Sequence, residues 1–98
     1  DGSQIYGSNG GVADFLRGRS AGRLKVLDFK GRSFMPLEPD RRNCMSRRGD
    51  IPCFIGGDAR VNQQIQLTLM QTLFLREHNR VAGVLNKQNP HWDDERTY

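Results

Sequence analysis

Apolar residues recur at Ile65, Leu69, Met70, Leu73, Phe74, Val81, Val84 and Leu85, at spacings of three, four and seven. That is the repeat of one helix face. It predicts a single helix from Gln64 to Lys87, roughly 24 residues and ~36 Å long. Asn89-Pro90 stops it, because proline cannot continue a helix. Asp93 then stands as an N-cap, and Asp94-Glu95 as the acidic first turn of a further helix. The polar run Arg76-Glu77-His78-Asn79-Arg80 crosses the middle of the long helix. A solitary amphipathic helix has no use for polar residues on every side. The run implies polar neighbours all round, in a larger protein with a polar network. The Met and aromatic stripe reads as core rather than as a cofactor site.

The rest of the chain is built differently. Residues 1–11 are turn-forming. Val12 to Leu16 makes one or two helical turns, ended by Gly18, and Arg23 to Phe29 alternates in part, as a short edge strand. From Gly31 to Gly57 the residues read as loop, with Pro36, Pro39, Gly49 and Pro52 along it. The fold class is therefore mainly α, with a loop-rich first half and then one long helix. A structureless segment of that length is unusual in an independent domain. It reads as a surface strap on a larger body. With no Met at position 1 and a last helix of one turn, residues 1–98 are expected to be a partial domain, truncated at both ends.

Hydrophobic residues make up 36% and charged residues 27% of the 98, which excludes collagen-like, coiled-coil and strongly disordered chains. No apolar run approaches the ~20 residues of a membrane span. Fifteen basic residues against eleven acidic give +4. Arg41-Arg42 and Arg47-Arg48 could serve phosphate or nucleic acid, or form a solvated loop. No aromatic is interleaved to stack bases, so the solvated loop is favoured and no nucleic-acid partner is expected. Cys44 and Cys53 lack the further ligands of a metal site. They read best as a short disulfide, with two free cytosolic thiols as the alternative. A disulfide would place the protein in an oxidising compartment, secreted.

Four segments in order carry a resemblance: Asp1-Gly2-Ser3-Gln4-Ile5-Tyr6-Gly7-Ser8, then Gly57-Asp58-Ala59-Arg60-Val61-Asn62-Gln63-Gln64, Leu75-Arg76-Glu77-His78-Asn79-Arg80, and Asn89-Pro90-His91-Trp92-Asp93-Asp94-Glu95-Arg96. Together they resemble the animal haem peroxidase family of the peroxidase–cyclooxygenase superfamily, closest in flavour to the arthropod chorion peroxidases and peroxinectins. The block with Arg60 points to peroxidases rather than to cyclooxygenases. The resemblance covers essentially the whole chain, as an internal fragment.

The resemblance implies a secreted haem peroxidase that uses hydrogen peroxide to oxidise phenols, tyrosyl groups or halides, with haem b and calcium as cofactors. Arg60 matches the family's distal arginine, a catalytic and haem-facing residue. A fixed guanidinium stabilises negative charge on the departing oxygen as a peroxide bond splits. Asp1 and Ser3 match calcium ligands, oxygen donors of suitable hardness. Cys44 and Cys53 match a family disulfide. Gln63 stands where several members carry a Glu esterified to haem, and Gln64 where one mammalian member carries a Met bonded to a vinyl group. Haem is therefore expected without that Glu-type ester. The family's two haem-facing histidines match no residue here, and His78 reads as a buried, hydrogen-bonded structural residue. Alone, the chain is expected to fold poorly and to bind neither haem nor calcium well. The alternative function is cell adhesion through Arg48-Gly49-Asp50, the tripeptide read by integrins.

Overall fold

Helix α3 spans Ile65–Gln88 in the computed structural model, which describes residues 1–40, 44 and 53–98. Arg41-Arg42, Arg47-Arg48 and Arg48-Gly49-Asp50 lie outside the described residues. The helix sits one residue later at each end than its periodicity predicts. Gln64 has an extended backbone and is the N-cap. Asn89 is the C-cap, its N–H donating to the Leu85 carbonyl at 2.8 Å.

The apolar stripe on α3 faces outward in this chain. Ile65 is 71% and Leu69 62% exposed, and Met70, Leu73, Phe74, Val81 and Val84 are exposed too. The buried helix residues are Gln71, Thr72, Leu75 and Ala82. The reading of the stripe as core does not hold within residues 1–98. The reason lies in what precedes the helix. Residues 17–34 offer it largely backbone polar groups, and the polar run answers them. Asn79 accepts from the Leu24 N–H at 2.8 Å and donates to the Leu24 carbonyl at 3.1 Å. Arg76 Nε donates to the Ser33 carbonyl at 2.7 Å. His78 Nε2 lies 2.8 Å from the Gly22 carbonyl. Three of the five residues in the run meet polar neighbours in this way, while Glu77 and Arg80 are exposed and pair with each other.

Before α3 the chain forms small elements. Helix α1 is one turn, Ser3–Tyr6. Helix α2 is Gly10–Leu16 and starts two residues before the expected Val12. Asn9 is the cause: its side chain accepts from the Val12 N–H at 3.0 Å and so caps the helix there. Strands β1, Leu27–Phe29, and β2, Arg32–Phe34, pair antiparallel with Leu27 opposite Phe34. Lys30 and Gly31, both at positive φ (50° and 76°), make the two-residue turn that fits strand twist. The expected edge strand at 23–29 is thus half of a hairpin, whose partner lies in the stretch read as loop. Leu24 instead bridges to Arg17.

The core is Leu16, Leu24, Met35, Val61 and Leu75, with Ile5, Val12, Val26, Phe54, Ile55 and Tyr98 packed around it. Helix α4, Asp94–Thr97, is capped by Asp93 as expected, its side chain accepting from the Arg96 N–H. Buried Arg17 ties the end of α2 to α4, with ion pairs to Asp94 at 2.7 Å and Glu95 at 2.5 Å. Cys44 and Cys53 are joined as a disulfide, with Cα atoms 5.8 Å apart. Among the described residues no helix is long and apolar enough to cross a membrane.

Candidate functional site

Residues Ala59–Asn62 form a 3-10 turn that sequence periodicity does not announce. Asp58 starts it, accepting from the Arg60 N–H at 2.8 Å. The same carboxylate receives Arg60 Nε at 2.9 Å and Nη2 at 3.0 Å. One side chain therefore caps the turn and clamps the guanidinium at two points. Those hydrogen bonds hold the Asp58 carboxyl down at about 2 and push the Arg60 guanidinium further up. Arg60 stays cationic at any working pH.

The turn itself is pinned on both sides. Val61 is 1% exposed. The Asn62 amide brackets Phe54, accepting from its N–H and donating to its carbonyl, each at 2.8 Å. The Thr68 hydroxyl donates to the Val61 carbonyl at 2.5 Å. Upstream, the Gly57 N–H donates to the Gln4 carbonyl at 2.9 Å. A Cβ on Gly57 would run into the Ser3 carbonyl and the Gly7 nitrogen. Glycine stands here because two backbones touch.

That contact lays α1 directly on the segment leading to Arg60. Just before α1, Asp1 Oδ1 accepts from the Ser3 N–H at 3.0 Å and the Ser3 hydroxyl at 2.7 Å. The two candidate calcium donors are thus together, on an element docked against the arginine turn. Two oxygens fill only part of a shell of six to eight. Among the described residues no group of three His, Cys, Asp or Glu is placed to hold a metal. Gln63 is the C-cap of the arginine turn and Gln64 the N-cap of α3. Arg60 and Gln63 therefore share one turn.

Haem binds a peroxide at its iron, where a nearby cation, with apolar cover for the ring, would suit the chemistry. The Arg60 side chain is 58% exposed, and α3 begins five residues later with its exposed Ile65 and Leu69. A fixed cation close in sequence to exposed apolar residues is chemistry that a bound haem could use there. His78 has both ring nitrogens engaged, by Tyr6 and by Gly22, and the His91 ring packs edge-on to Trp92. Asp58 and Asn62, which hold Arg60 and its turn, are residues that motif reading passes over. Their signal is local, an aspartate two residues before the arginine and an amide two after it.

A family model described as animal haem peroxidase matches residues 1–98. The chain belongs to the animal haem peroxidase family. It is 47% identical to the chorion peroxidase of Aedes aegypti, over all of this chain and 12% of that protein. It is 43% identical to the chorion peroxidase of Drosophila melanogaster, over 97% of this chain and 12% of that one. Peroxidase A from Dictyostelium discoideum superposes with a TM-score of 0.83 at 30% identity, covering 99% of this chain and 20% of that one. The chain thus spans about an eighth of the length of these chorion peroxidases. The mainly α architecture is that of this peroxidase neighbour.

Proposed function

We propose that this chain is the part of a secreted haem peroxidase that presents the cation for peroxide cleavage. The observation that carries the reading is Arg60, clamped at two points by Asp58 on a turn pinned by Asn62 and Gly57. The carboxylate takes the Nε hydrogen and one of the two on Nη2, which leaves Nη1 and the second Nη2 hydrogen for a ligand. Haem, when bound, supplies the redox chemistry. Arg60 stabilises the negative charge that grows on the departing peroxide oxygen. Its guanidinium cannot act as the proton carrier, so proton transfer falls to a histidine outside residues 1–98.

In the same reading Asp1 and Ser3 contribute two oxygens to a calcium site completed elsewhere in the longer protein. Gln63 offers an amide where an ester would need a carboxylate, so haem is held without that link. Donor substrates are small phenols, tyrosyl groups or halides. The disulfide fits an oxidising, extracellular compartment.

The test is Arg60→Gln in the full-length protein. Its reaction with hydrogen peroxide should slow by a factor on the order of 10² to 10³, with haem content unchanged. Stopped-flow spectra at the wild-type rate would remove Arg60 from the mechanism.

A further inference from the structure

Tyr6, His78 and Tyr98 form an aromatic cluster where α1, α3 and α4 meet. The Tyr6 hydroxyl lies 2.9 Å from His78 Nδ1. His78 Nε2 lies 2.8 Å from the Gly22 carbonyl. A carbonyl can only accept, so in the neutral imidazole Nε2 carries the hydrogen and Nδ1 the lone pair. Tyr6 is therefore the donor in its bond to His78. The arrangement is held from behind. The Gly22 N–H donates to Asp94 Oδ1 at 2.8 Å. Gly22 itself sits at φ 70° against Thr97 and Tyr98, with no room for a Cβ.

We propose that Tyr6 and His78 are a proton-coupled redox pair, in which Tyr6 yields one electron to an oxidant while its proton passes to Nδ1 of His78. The O–H bond of Tyr6 breaks and an N–H bond forms on His78. The products are a neutral phenoxyl, an imidazolium and an oxidant reduced by one electron. A phenol that loses an electron but keeps its proton becomes a strongly acidic cation, which is costly. A base already within hydrogen-bond reach removes that cost. An electron donor reverses the step, and the proton returns from Nδ1.

Tyr98 is the internal comparison. Its ring lies 6.1 Å from that of Tyr6 and 5.5 Å from that of His78. It carries the Arg17 guanidinium 4.0 Å above its face, which disfavours further positive charge on the ring. Among the described residues no base hydrogen-bonds its hydroxyl. Of the two neighbours, Tyr6 is the one built to be oxidised. Burial, then Tyr98, raise its phenol above the ordinary value, so it holds a proton to give. Peroxidase turnover would supply the physiological one-electron oxidant, and that part rests on the function proposed above. The pair's own chemistry does not.

The experiment uses the full-length protein with two oxidants. A flash-quenched ruthenium(III) tris-bipyridine complex oxidises tyrosines without haem chemistry. Electron paramagnetic resonance at high field should show a phenoxyl whose g-tensor reports a hydrogen bond from imidazolium. Tyr6→Phe should lose that component. His78→Gln is the second variant: glutamine can accept from Tyr6 and donate to Gly22, but cannot hold the proton. It should keep the fold by circular dichroism, slow Tyr6 oxidation at least tenfold and lose the solvent isotope effect. An unchanged spectrum in Tyr6→Phe, or wild-type kinetics in His78→Gln, would overturn the proposal. The second oxidant is hydrogen peroxide on the haem-loaded protein. A Tyr6 radical with ruthenium and none with peroxide would uphold the pair and count against the peroxidase reading.

Discussion

Asp58 makes three hydrogen bonds to one residue, and each bears on where Arg60 points. An amide in its place keeps the cap but loses the charge and the two-point clamp. Asp58→Asn in the full-length protein should slow the peroxide reaction on the order of tenfold, since a misplaced catalytic group costs up to 10². Stopped-flow kinetics would show it, and an effect equal to that of Arg60→Gln would mean that the clamp is the whole function. The pH behaviour follows from the same pair. The carboxyl is held below its ordinary value, at about 2, so the clamp is fully present above pH ~4 and is lost only as pH falls through about 2. Arg60 stood out as a candidate in the sequence through the block around it. The double duty of Asp58 was not, because residue type and spacing do not say which of two jobs a carboxylate takes.

At the scale of elements, Gly57 is where α1 and the arginine turn meet backbone to backbone. Gly57→Ala should destabilise the protein by about 1–3 kcal/mol, as for overpacking. Gly31→Ala, with nothing near its would-be Cβ, should cost less, only the strain of a positive φ. Melting curves of the two variants would decide this, and equal shifts would mean that the α1 contact carries no weight. Helix α3 was legible to within a residue because its apolar period runs for six turns. Its outward orientation was not, because periodicity marks a face without saying what covers it. The hairpin escaped reading for a different reason. Arg32-Ser33-Phe34 is too short to show alternation, and a Lys-Gly turn advertises itself less than an Asn-Gly one. The cap at Asn9 moved α2 in the same quiet way, through one side-chain oxygen.

Among the described residues the chain has one core cluster of five buried side chains and a long helix whose apolar face it does not cover. Buried area of that kind cannot offset the ordering of 98 residues with much to spare. Expressed alone, residues 1–98 should bind a hydrophobic dye strongly and melt without a sharp transition. A cooperative calorimetric peak with no dye binding would refute this. What holds the chain's two ends together is mostly polar and long-range: Arg17 with Asp94 and Glu95, Tyr6 with His78, Gln4 with Gln71, Asn79 with Leu24. The fold class was legible because the family blocks run the length of the chain. These cross-links were not, since each joins residues more than fifty positions apart.

The bond between Cys44 and Cys53 has one more consequence, a topological one. The eight residues between them lie inside a covalent ring, so the backbone can be cut once anywhere in that ring without parting the halves. A protease acting there would leave a two-chain molecule that still runs as one band until a reductant is added. Arg48-Gly49-Asp50 lies within the ring, so a nick at the tripeptide would leave the Arg60 turn tethered to everything before it.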